Sequence, residues 1–218
     1  METAGRFGPM VRQRVRIRFC KLGDLRLIGH RDLMRCMERV FRRAGLKLAM
    51  SQGFHPKPRM AFPAALAVGI EGTDEVMELQ LAQQYAANQV RQMLAPQLPP
   101  GLSINSIECL PEGTRKARVR GFTYQVPIPR QHQRQLPTRI KQLLAAPSCP
   151  LKRAGRAEPL DLRPSVENLS LENNTLQMRL VVGQQGTAGP RDVLDVLGLK
   201  GIETEGVVLR RTTVEVLS

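Results

Sequence analysis

From Arg12 to Cys20 apolar and polar positions alternate, with Val15, Ile17 and Phe19 on one side and Arg12, Arg14, Arg16 and Arg18 on the other. A period of two marks a half-buried strand. Past Gly23 and Asp24 the period changes: Leu33, Met34, Met37, Val40, Phe41 and Ala44 recur at helical spacing, and Gly45 stands where a left-handed cap belongs. A helix is predicted over 30–44, apolar on one face and carrying Arg31, Arg35, Glu38, Arg39, Arg42 and Arg43 on the other. Gly53, Pro56, Pro58 and Pro63 deny a helix to the stretch from Ser51 to Pro63. This predicts a loop long enough to be functional, with a short extended piece around Met60 to Phe62. Alternation returns in Glu75 to Leu81 and in Leu102 to Leu110, with a helical stretch from Ala86 to Leu94 between them.

The second half repeats this order without repeating the sequence. Val119 to Ile128 alternates as a strand, Leu136 to Ala145 has helical spacing, and a Pro- and Arg-containing connection runs from Pro147 to Pro159. Leu160 to Leu171 and Thr175 to Val182 form a hairpin through Asn173 and Asn174, since Asn tolerates the positive φ of such turns. A short helix from Pro190 to Leu197 and a strand from Val207 to Leu217 follow. The order predicts an α+β fold of two tandem ferredoxin-like (βαββαβ) domains, helices covering one face of each antiparallel sheet. The first domain is expected over residues 1–110, with 1–10 disordered, and the second over 111–218.

Composition sharpens the picture through charge. The chain has 33 Lys and Arg against 19 Asp and Glu, a net charge of +14, which favours a polyanion as partner. Residues 1–60 hold 15 of the basic and 4 of the acidic side chains, a surplus of 11 that places the electropositive surface in the first quarter of the chain. Cys20, Cys36, Cys109 and Cys149 are scattered without CxxC spacing, and His30, His55 and His132 are likewise separated. Neither zinc nor an iron–sulfur cluster is expected, and no cofactor. The thiols suit a reducing compartment, no apolar stretch resembles a signal peptide or a membrane span, and the expected location is cytoplasmic.

Arg14, Arg16, Arg18, Arg31, Arg35, Arg39, Arg42 and Arg43 are the candidate nucleic-acid ligands, because guanidinium groups grip phosphate with two donors and stack on bases. The plain alternative is a solvated face. If Val15, Ile17 and Phe19 point at the helices, the strand and helix arginines face different ways. In the loop, Phe54 is placed to stack a base while Lys57 and Arg59 hold phosphates; the alternative is a Phe54 that plugs the core. His30 and His55 are the candidate acid and base for metal-free RNA cleavage, although a histidine at a helix start more often satisfies local hydrogen bonds.

The run KLGDLRLIGHRDLMRCMERVFRRAGLKLAMSQGFHPKPRMAFPAALAVGIEG, with LDLRPSVENLSL, PRDVL and LRRTTVEVL further on, resembles the radical-SAM-linked family of unassigned function, over nearly the whole chain from Val11. The resemblance implies a radical SAM protein acting in trans, since the chain lacks that portion, and genomic company with RNA-processing proteins such as ribonuclease E/G. It assigns no catalytic residue. A likeness of architecture alone extends to CRISPR repeat-processing endoribonucleases, whose glycine-rich loop near the C-terminus has no counterpart here. The expected function is an RNA-binding accessory protein for modification or processing of rRNA or tRNA, not itself an enzyme. Two alternatives are a metal-independent endoribonuclease using His30 or His55, and a protein-interaction subunit for an acidic partner.

Overall fold

The computed structural model describes residues 13–152, 159–183 and 188–217. The expected disorder of residues 1–10, the strand position of Arg12 and part of the 147–159 connection lie outside them. The fold is α+β, with one large mixed sheet and few helices. In chain order come β1 (Gln13–Lys21), α1 (His30–Arg43), β2 (Met60–Ala61), β3 (Glu71–Leu81), α2 (Ala87–Leu94), β4 (Leu102–Leu110) and β5 (Arg118–Pro127). Then follow α3 (Arg130–Gln133), α4 (Leu136–Ala145), β6 (Pro150–Leu151), β7 (Leu160–Asp161), β8 (Val166–Glu172), β9 (Thr175–Val181), α5 (Pro190–Val196) and β10 (Arg210–Leu217).

The strands lie in the order β4-β1-β3-β10-β5-β9-β8, with β2 on the edge of β3, while β6 and β7 form a separate hairpin. Every pairing is antiparallel except β3 with β10, which is parallel and only two residues long, Glu71 opposite Arg210 and Gly72 opposite Arg211. The halves of the chain thus share one sheet. Their apolar side chains nevertheless form two clusters. In one, Val15, Ile17 and Phe19 pack with Leu33, Met37, Val40 and Phe41 of α1 and Val90 and Leu94 of α2. In the other, Phe122, Tyr124 and Val126 pack with Leu136, Ile140 and Leu143 of α4 and Val193 and Leu194 of α5.

Local chemistry explains most element ends. Gly45 has φ +70°, and beyond α1 Gly45 N–H donates to Arg42 O and Leu46 N–H to Phe41 O, both at 3.2 Å. These paired bonds close the helix in a Schellman turn. Asn173 and Asn174 have φ 48° and 61°, the left-handed pair that a two-residue hairpin loop demands. The strand expected over Leu160 to Leu171 is broken instead. β7 ends at Asp161, a 3-10 turn holds Arg163 to Ser165, and β8 starts at Val166. Pro164 supplies no N–H and fixes its own φ, so the ladder cannot run through it. The polar stretch at Arg130 folds as the short helix α3, where His132 Nε2 lies 2.9 Å from Glu205 Oε1.

A buried ion pair lies at the joint between β3 and β10. Arg211 and Glu75 are 2% and 3% exposed, and the guanidinium grips the carboxylate with two bonds, Nε to Oε1 at 2.8 Å and the second to Oε2. Arg211 also donates to Ala65 O at 3.1 Å and stacks over Phe122. Buried Lys21 donates to Ile28 O at 2.9 Å; burial holds its ammonium below the ordinary lysine range, with nearby Glu75 opposing that shift. Gly72, between them, has no room for a side chain, because a Cβ there would lie 2.6 Å from Glu75 Oε1.

Candidate nucleic-acid interface

The arginines of β1 and α1 occupy opposite sides of the layer. Val15, Ile17 and Phe19 point at α1 and α2, so Arg14, Arg16 and Arg18 emerge on the other face of the sheet. There they meet carboxylates. Arg14 and Arg16 share Glu78 at 2.7 and 2.8 Å, Arg16 also reaches Glu108 at 3.7 Å, and Arg18 bonds Asp74. Burial would raise the Glu78 carboxyl, but hydrogen bonds from Arg16 and Arg14 outweigh it and hold the group below the usual carboxylate range. Further along, Arg179 bonds Glu215 and Glu167. This lattice of ion pairs balances the positive charge of the strand arginines.

α1 is different. Arg31, Arg35, Arg39, Arg42 and Arg43 are all exposed, and Arg35 meets Asp32 of the same helix at 3.5 Å. Among the described residues no carboxylate pairs with the other four. Arg42 and Arg43 sit in the last turn, where the helix dipole also favours cations.

The loop after α1 is a stem with a tip. Ala49 N–H donates to Gln80 O, Arg59 N–H to Ala49 O and Ser51 N–H to Lys57 O, each at 2.8 Å, which fixes the two arms beside the end of β3. At the tip Phe54 is fully exposed, so it is no core plug. His55 and Lys57 are exposed beside it, and Arg59 is half-buried at the root, where its Nε donates to Met50 O at 3.2 Å.

Arg59 also lines a cleft of about 290 Å³ with Arg14, Glu78, Lys116, Met60 and Leu79. A larger cleft, sharing Pro63 and Ala117 with the first, is lined by Arg118, Phe122 and Arg211. The basic run Arg115, Lys116, Arg118 and Arg120 borders this region and is exposed throughout. Sequence reasoning missed it; its signal was the density of cations in TRKARVR.

The two candidate histidines have different surroundings. His30 packs edge-on against Phe62, centroids 5.3 Å apart, and its buried Nδ1 has no hydrogen-bond partner among the described residues. His55 stands in the exposed tip. Among the described residues no three His, Cys, Asp or Glu side chains gather as a metal site would require, and no helix is long and apolar enough to cross a membrane.

Residues 14–190 match the family model DUF2344, described as an uncharacterized protein conserved in bacteria. The chain belongs to the DUF2344 family. The DUF2344 match begins inside β1, takes in α1, the Phe54 stem and both clefts' main walls, and stops at the start of α5, short of Arg211 on β10. No curated protein matches the chain.

Proposed function

We propose that this protein is a cytoplasmic RNA-binding accessory protein that presents rRNA or tRNA to a separate radical SAM enzyme or ribonuclease, ribonuclease E/G among the candidates. The observation that carries the reading is the outer face of α1, where five exposed arginines face solvent and four have no carboxylate among the described residues. Such a row of cations repels itself unless an anion covers it, and repeated phosphates fit it best. The strand arginines add less, since their charge is met by Glu78, Glu108 and Asp74. The burial of His30 Nδ1 beside Phe62, where it is not offered to a substrate, favours an adaptor over an endoribonuclease that would use it. The enzyme link rests on the resemblance to the radical-SAM-linked family.

We read the architecture beneath this surface as two ferredoxin-like domains fused edge to edge. The orders β4-β1-β3-β2 and β10-β5-β9-β8 support it, as does the division of the apolar residues into two clusters. The test is charge reversal of Arg35, Arg39 and Arg42 to Glu. Three lost charge-assisted contacts predict RNA binding weaker by about a hundredfold or more in a filter-binding titration. Unchanged affinity with a normal circular dichroism spectrum refutes the role of α1.

A further inference from the structure

We infer that this protein selects unpaired RNA over duplex, holding a single strand between the Phe54 tip and the basic cleft at the root of the same stem. This rests on the RNA-binding reading and names the substrate class of that surface. The first observation is Phe54 itself, fully exposed at the end of a stem tied to β3 by backbone bonds. A phenylalanine there adds nothing to the core and keeps apolar area in water, so the feature stabilises the protein only once something covers the ring.

The second is the cleft. Its cations are Arg14, Arg59 and Lys116, and its one carboxylate, Glu78, is already bonded to Arg14 and Arg16. Lys116 is exposed and has no partner among the described residues. The cleft therefore holds surplus positive charge beside the apolar groups Met60 and Leu79. A third observation is placement. β2 pairs with the edge of β3, so the stem leaves the sheet at the border between the face covered by α1 and the face bearing Arg14. The root of the stem, Arg59 and Met60, is itself part of the cleft lining, so tip and cleft belong to one continuous segment of chain. Duplex RNA offers phosphates to cations but keeps its bases stacked inside; only an unpaired strand offers Phe54 a base face as well.

The experiment is fluorescence anisotropy on the full chain with a labelled mixed-sequence single-stranded RNA and, separately, its perfect duplex, at about 50 mM salt. The single strand is expected to bind at least about tenfold tighter, and Phe54→Ala to weaken it by about five- to a hundredfold, the range for losing one stacked base, with duplex affinity unmoved. Phe54→Tyr keeps the affinity of the parent, and Lys116→Glu lowers it for the single strand. Because Phe54 touches no core residue, its variants keep the fold. Equal or tighter duplex binding, or a single-strand affinity indifferent to Phe54→Ala, overturns the inference and leaves RNA binding standing. No binding to either RNA overturns the RNA-binding reading itself.

Discussion

At the scale of single residues, the carboxylates decide which arginines are left for a partner. Glu78 serves two guanidinium groups, and Glu71 takes Arg210 and the Gly23 N–H. Burial works to raise both carboxyls, and the hydrogen bonds hold both below the usual range. A carboxyl depressed in the folded state stabilises it above the unfolded value, near pH 4.3, and that contribution is lost as pH falls through the folded value. Stability should therefore fall as pH drops from about 5 through the depressed folded values of these carboxyls, steeply in the parent and less steeply in Glu78→Gln. Urea midpoints at about pH 7 and about pH 3 measure the slope; parallel losses in the two proteins would mean Glu78 contributes nothing to acid sensitivity. None of these pairings was legible in the sequence. Arg14 and Glu78 lie 64 positions apart, and alternation gives the face of a side chain but not its partner. Nor did the sequence decide between a buried and an exposed Phe54, since an aromatic among prolines suits either.

At the scale of elements, the Asn173–Asn174 turn is a point where local chemistry was enough. With both residues left-handed, Asn174→Ala should cost about 1–2 kcal/mol, whereas Asn174→Gly should be neutral or nearly so. Thermal unfolding of the two variants checks this; equal melting temperatures would show that the turn does not constrain β8 and β9. The helices were legible for the same reason: α4 matches its expected span, and α1 and α2 each begin or end within a residue of theirs. Periodicity and caps are local facts. β3 was read too short because Glu71 to Asp74 do not alternate; their partners, Arg210 and Arg18, come from other strands and cover both faces. The single strand expected across Pro164 is broken because that residue brings no N–H to the ladder.

At the scale of the whole molecule, the surplus of charge is distributed rather than uniform. The sheet face under Arg14, Arg16, Arg18 and Arg179 is balanced by its own carboxylates, so the net +14 is felt mainly at α1, the Phe54 stem and the 115–120 run. If six to ten phosphates are engaged, RNA affinity should drop by about 10³ to 10⁵ between about 50 and 200 mM salt, read as the slope of log affinity on log salt. A flat line would exclude a polyanion as the partner. Which strands meet across the halves was beyond sequence reasoning, because two residues of parallel pairing carry no periodic signal. That brief pairing has a consequence for how the chain is made. Arg211 reaches back 136 positions to Glu75, so during synthesis β5 waits with one edge bare, β3 has only β2 on that side, and Glu75 keeps its water, until β10 leaves the ribosome. A premature stop before β10 would strip the shared strand from both halves at once and leave the edge of β5 adhesive in its place.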